Sequence, residues 1–209
     1  PTGVDLDAGH WAEVARIAAA RRWIPFFDFA YQGFGAGIVE DRAGLAPISE
    51  TGVDFLVSSS FSKNFGLYQD RVGALSIVAA NNQAADAAFS HIKTVVRVIY
   101  SNPPAHGGSV VTTILKDTAL RMEWEKEVAG MRDRIARVRR ELVGGLSKRH
   151  AVMDFSFITR QKGMFSFSGL SDAQVAYLRE KKSVYMVGGG RINVAGITAR
   201  NLDYTCDAI

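Results

Sequence analysis

Residues 54–79 read "DFLVSSSFSKNFGLYQDRVGALSIVA". Two short runs, 54–60 and 71–79, each with an apolar centre and the length of a strand, meet in a polar loop. The loop holds two serines, Ser60 and Ser62, then a single lysine, Lys63, and ends on Arg71. An arginine offers a planar, permanently charged fork that fits phosphate. A lysine amine forms Schiff bases with carbonyl compounds when burial or neighbouring cations depress its pKa. The same loop also reads as a polar turn, with Lys63 an ordinary surface charge.

Working outward, residues 7–22 ("DAGHWAEVARIAAARR") predict a helix, with Asp7 as its N-cap and Trp11, Val14, Ala15 and Ala18 at helical spacing. "WIPFFDFAY" (23–31) is short and almost wholly apolar, which predicts a strand buried on both faces. A short helix interrupted at Gly44 and Pro47 is expected over 36–48, and a helix over 82–99 with Ala85, Phe89, Ile92 and Val96 along one side. "SNPPAHGG" (101–108) is a hard break. A long helical region then runs from about 109 to 143, its stripe formed by Leu120, Trp124, Val128, Met131, Ile135, Val138 and Leu142, with the glycines at 144 and 145 ending it. The last third predicts strands at 163–169, 183–187 and 191–196, a helix at 172–182 and a terminal helix from Thr198. Strands alternating with helices imply a largely parallel sheet first and a smaller α+β unit after it.

Several residues carry chemistry. Asp28 sits inside an apolar strand, where a carboxylate is costly unless it meets a cation. A hydrogen bond from a strand-end aspartate to a loop is the plainer reading. Tyr31 follows past the strand end, on the side where open α/β sheets bind ligands. Arg97 ends a helix, where a cation also simply complements the helix dipole. Arg191 follows three glycines, which allow close backbone approach, and an arginine there can grip a carboxylate. An acid, a phenol, a lysine and a phosphate-binding arginine together fit pyridoxal phosphate, with the acid pairing the pyridinium nitrogen.

Composition narrows the alternatives. With 209 residues and 47% hydrophobic content, the chain can bury a core as one large or two small domains. The net charge is +4, and arginines crowd 132–149, but acids are interspersed, so a solvated helix face is the better reading than a nucleic-acid stripe. The single cysteine, Cys206, excludes an intrachain disulfide and fits a reducing compartment, the cytoplasm, with a mitochondrial form left open. Four scattered histidines give no metal-ligand spacing, and no apolar run is long enough to span a membrane.

"DFAYQGF", "SSSFSKNFGLYQDRVG", "YSNPPAHGG", "GMFSFSGL" and "GRINVAG" resemble aspartate aminotransferases, of the class I pyridoxal-phosphate aminotransferases, in order and along the whole chain. The resemblance implies an α/β fold of the aspartate-aminotransferase type (fold type I). It has part of a large cofactor domain over 1–130, with a mostly parallel sheet, and a slightly truncated small α+β domain over 131–209. It implies that Lys63 holds the cofactor covalently and then shuttles a proton. By the same resemblance Asp28 pairs with the ring nitrogen, Tyr31 bonds the ring's phenolic oxygen, and Ser60, Ser62 and Arg71 hold the phosphate. Arg191 would take the substrate α-carboxylate. Arg97 would take the distal carboxylate in the partner's site of a homodimer, with Phe165 near the substrate. The implied reaction is a ping-pong exchange of L-aspartate and 2-oxoglutarate for oxaloacetate and L-glutamate. An aromatic or broad-specificity enzyme of the class, and an inactive fragment or interaction module retaining the fold, are the alternatives. The chain matches the C-terminal half of such enzymes. As a separate polypeptide it is expected to be poorly folded and inactive, because its sheet would expose apolar edges.

Overall fold

A computed structural model describes residues 2–209. The chain divides into two compact units: Leu6–Val128, which carries Lys63, and Ala129–Ile209, joined by the described residues before Leu6.

In the first unit, Asp7 caps helix α1 (Ala8–Arg21) by accepting from the His10 N–H, and the chain turns out at Arg22 in the left-handed conformation. Strand β1 (Phe26–Phe29) pairs parallel with β2 (Phe55–Ser60). Between them lie a 3-10 turn (Glu40–Arg42) and helix α2 (Leu45–Glu50). Gly44 stands at the N-cap of α2 and Pro47 in its first turn, where the proline costs no helical hydrogen bond. The interruptions expected at these two residues are therefore a start signal. One face of the sheet is covered: Ala15 and Ala18 of α1, Ile48 of α2, and Phe27, Phe55 and Val57 form a single cluster, with Trp11 stacked 5.5 Å from Phe27.

The opposite face is open. Phe26 is 65% exposed and Asp28 is exposed, so β1 is not buried on both faces as its apolar run predicts. The run is almost wholly apolar, but helices α1 and α2 reach only alternate residues of it. The third strand, β3 (Gly73–Val78), lies antiparallel to β2, so the sheet expected to be largely parallel holds one antiparallel pair. The connection, residues 61–72, contains no helix, and a parallel return needs a long crossover.

Helix α3 (Asn82–Tyr100) is capped by Asn81, whose side chain accepts from Ala84 N–H at 2.9 Å. Its expected apolar side is only half covered: Ala85, Ile92 and Val96 are partly buried, while Phe89 is 59% exposed. Helix α4 (Ala105–Lys116) begins directly after Pro104, and its Gly107 lies against Val72 and Asp70. Helix α5 (Thr118–Lys148) follows after one extended residue, Asp117, whose carboxylate accepts from Leu120 N–H. The single long helix expected there is thus two. Gly144 and Gly145 lie inside α5 and do not end it.

In the second unit, β4 (Phe165–Phe167) and β5 (Arg191–Asn193) pair antiparallel, with Phe167 opposite Arg191. Helix α6 (Asp172–Lys182) begins with a full capping box between Ser171 and Gln174. Residues 183–187 do not form the expected strand: Ser183 ends α6 in the left-handed conformation, and only Val187 bridges, to Arg191. Helix α7 (Leu202–Ala208) closes the chain. The arginines of 132–149 are not all solvated. Arg139 is 2% exposed, and Arg134 donates to the carbonyls of Ala195 and Ile197.

Candidate active site

The Lys63 loop is built from both ends. At its start, Ser60 Oγ accepts from Ser62 N–H at 3.2 Å, and Ser62 is buried. At its end, Ser60 stands opposite Gly73 in the ladder and Phe61 N–H donates to Val72 C=O. The backbone therefore returns Arg71 to the serine end of the loop. Arg71 itself adopts φ +50°, uncommon for a residue other than glycine. Its guanidinium is exposed and donates to Tyr68 C=O at 3.0 Å. Two hydroxyls and a forked cation at one loop base are the donor chemistry of a phosphate seat.

Lys63 is half-buried, with Nζ 4.7 Å from the centre of the Tyr31 ring. Tyr31 lies just beyond β1, so the two strand ends that the sequence marks do converge. Asp28 lies in register with Ser58 and so shares a sheet face with Ser58 and Ser60. It is exposed on that face, contrary to the expected buried carboxylate.

Three residues that sequence reasoning did not assign hold this loop in place. Asn64, buried beside Lys63, donates from Nδ2 to Gln32 C=O at 3.2 Å, tying the lysine loop to the Tyr31 turn. The Trp124 indole N–H donates to Asn64 C=O at 2.7 Å, and its ring stacks 4.5 Å from Phe65. Asp41 accepts from the backbone N–H groups of Gly33, Gly35, Ala36 and Gly37, fixing the turn after Tyr31. Trp124 was visible only as one apolar member of a stripe. A signal for Asp41 did exist: the glycine-rich "QGFGAG" exposes consecutive N–H groups that need an acceptor. Among the described residues, Asn64 Oδ1 is buried without a hydrogen-bond partner.

Arg97 stands apart, in the last turn of α3, exposed, with its guanidinium on Ser101 Oγ at 3.0 Å. Arg191 and Phe165 belong to the second unit and meet there: the guanidinium carbon lies 5.0 Å from the ring centre. Among the described residues, Arg191 Nε is buried with no hydrogen-bond partner. A buried cationic donor left open in this way favours an anion. In the first unit a lysine amine, a phenol and phosphate donors fit a phosphorylated carbonyl cofactor; in the second unit the arginine fits a carboxylate. Among the described residues no cluster of histidine, cysteine or carboxylates could hold a metal ion.

The chain matches the family model "Aminotransferase class I and II" over residues 1–209. It is 51% identical to the aspartate aminotransferase of Escherichia coli (strain K12) over 209 residues, which is 100% of this chain and 53% of that protein. An aromatic-amino-acid aminotransferase from Burkholderia pseudomallei, solved covalently bound to pyridoxal phosphate, superposes with a TM-score of 0.97 at 48% identity, covering 100% of this chain and 52% of that one. A psychrophilic aromatic amino acids aminotransferase from Psychrobacter sp. B6, cocrystallised with aspartic acid, gives 0.96 at 41% identity, covering 100% and 52%. The chain thus spans about half the length of the relatives it matches. Its fold is the α/β fold of the aspartate-aminotransferase type. From its first residue to its last, the chain belongs to the class I and II aminotransferases.

Proposed function

We propose that the chain carries the cofactor lysine and the substrate-carboxylate arginine of a pyridoxal-phosphate-dependent aspartate aminotransferase. The observation that carries the reading is the Lys63 loop, with its amine 4.7 Å from the Tyr31 ring and its base lined by serines and an arginine. When bound, pyridoxal phosphate supplies an electron-withdrawing ring that stabilises negative charge at the substrate Cα. Lys63 would hold it through its amine and would serve as the base that moves the proton at that Cα. Asp28 keeps the ring nitrogen protonated, and Tyr31 bonds the ring's phenolic oxygen. Ser60, Ser62 and Arg71 hold the phosphate. Arg191 binds the α-carboxylate, with Phe165 beside it. Arg97 binds the distal carboxylate and serves the partner's site in a homodimer. Residues 1–130 then belong to the cofactor domain and 131–209 to the small domain, and the protein works in the cytoplasm.

Amino-group transfer between L-aspartate and 2-oxoglutarate, giving oxaloacetate and L-glutamate by a ping-pong route, is the favoured reaction. An aromatic or broad specificity is the second reading, favoured by the aromatic enzymes among the structural neighbours. Relative kcat/KM for aspartate and tyrosine in the full chain separates the two. For the shared chemistry, the test is borohydride reduction after mixing with pyridoxal phosphate, then mass spectrometry of the digest. Label confined to Lys63 and lost in Lys63→Ala supports the reading, whereas label spread over surface lysines counts against it.

A further inference from the structure

We propose that Arg139, buried within the second unit, is a positioning residue that sets Arg191 for carboxylate binding through the strand pair β4–β5. The inference rests on the aminotransferase reading for what Arg191 binds.

Arg139 is 2% exposed, and its guanidinium meets no carboxylate among the described residues. It donates instead to five oxygens: Ile158 C=O at 3.1 Å, Lys162 C=O at 3.1 Å, Gly163 C=O at 2.7 Å, Phe165 C=O at 2.8 Å, and the Ser166 hydroxyl. Ser166, itself fully buried, passes its proton side on to Gln161 Oε1. Burial without a counter-charge pushes the Arg139 pKa down to about 10, so it is a cation at neutral pH held only by dipoles. A cation buried at such cost needs a reason beyond packing, since an apolar side chain fills such a space at least as well.

The reason is what the gathered segment carries. Residues 158–166 form an arch whose end is β4. Phe165 projects from it onto the Arg191 guanidinium, and Phe167 pairs in register with Arg191. The arch also seats the chain's first residues: Lys162 N–H donates to Gly3 C=O at 2.7 Å. On the other flank, the buried Ser168 holds Gly190 through both its N–H and its hydroxyl. Arg191 is therefore fixed by its backbone and by its ring partner, while its own Nε is left unpaired among the described residues. One guanidinium collects the four carbonyls and the hydroxyl that define this arch, and no lysine can reproduce that fork.

The test compares Arg139→Lys with wild type in the full chain, using succinate, a dicarboxylate with neither an amine nor a keto group. Three readouts are taken: hydrogen exchange by peptide, succinate Kd by calorimetry, and borohydride-trapped label on Lys63. The expected result is faster exchange confined to 161–168 and 187–193, succinate binding weaker on the order of tenfold, and unchanged Lys63 labelling. Exchange that rises evenly through 129–209, or a succinate Kd unchanged in a folded variant, overturns the proposal. If Arg139→Lys does not fold, Ser166→Ala removes one acceptor and is read in the same way. A wild-type chain that binds no succinate counts against the aminotransferase reading, and local exchange alone then decides the positioning claim.

Discussion

Trp124 holds the lysine loop at two adjacent residues through one side chain. Its ring packs on Phe65, and its N–H satisfies the carbonyl of Asn64, next to Lys63. Trp124→Phe preserves the stacking and removes the donor, leaving a part-buried carbonyl unpaired. The expected loss is about 1–3 kcal/mol, read from the urea midpoint at constant slope. An unchanged midpoint would mean that water replaces the indole freely and that the loop is not pinned this way. A second single-residue effect is electrostatic. Arg149 hydrogen-bonds Asp207 and holds its carboxyl below the ordinary 3.8. The native state then binds fewer protons than the unfolded chain, so the pair contributes stability above the ordinary carboxylate pKa. That contribution is lost as pH falls through the folded value. Asp207→Asn should therefore flatten the acid limb of the thermal-midpoint profile below about pH 5, and parallel wild-type and variant limbs would refute it. The groups with chemistry, Lys63, Tyr31, Ser60, Ser62 and Arg71, were legible because their types are unusual in one loop. Asn64, Trp124 and Arg139 were not, because each bonds backbone atoms that no side-chain pattern records, whereas Asp41 had a signal in the glycine-rich turn it closes.

At the scale of elements, α5 gives the sharpest contrast. Gly144 and Gly145 read as a helix end, yet the helix passes through both. A Cβ on Gly144 would meet nothing within 4 Å, whereas one on Gly145 would lie 2.6 Å from Cys206 Sγ of α7. Glycine in a helix costs roughly 1 kcal/mol relative to alanine. Gly144→Ala should accordingly raise the thermal midpoint. Gly145→Ala should lower it, because the clash with α7 outweighs the propensity gain. Equal shifts in both variants would show that α7 yields at no cost. The glycine pair was misread because propensity is local and the close approach of α7 comes from residues about sixty positions away. The same limit explains the break at Asp117. The apolar period continues across it, but an extended aspartate that caps the next helix wins over continuing the first. Residues 183–187 failed as a strand for the opposite reason: Tyr185 and Val187 suit a strand, but only Val187 finds a bridge, and Tyr185 is 79% exposed.

Across the whole molecule, periodicity reports which faces are apolar but not what covers them. One face of the β1–β2–β3 sheet meets α1 and α2, while Phe26 and Leu75 on the other are 65% and 51% exposed. Helix α3 leaves Val95 at 54%, Val98 at 81% and Ile99 at 68% exposed along one side. Apolar side chains clustered at such exposure drive association in water, at roughly 25 cal/mol per Å² removed from solvent. A polypeptide of these 209 residues alone is therefore expected to self-associate with rising concentration. Val98→Glu with Ile99→Glu, on a helix surface that makes no buried contact, should weaken that association without reducing helix content. Sedimentation equilibrium with far-ultraviolet circular dichroism reads both quantities. If the wild-type polypeptide sediments as a monomer throughout, these faces do not drive association. If it associates and the double variant associates equally, the open sheet face rather than α3 is responsible, and Leu75→Glu becomes the variant that must lower it.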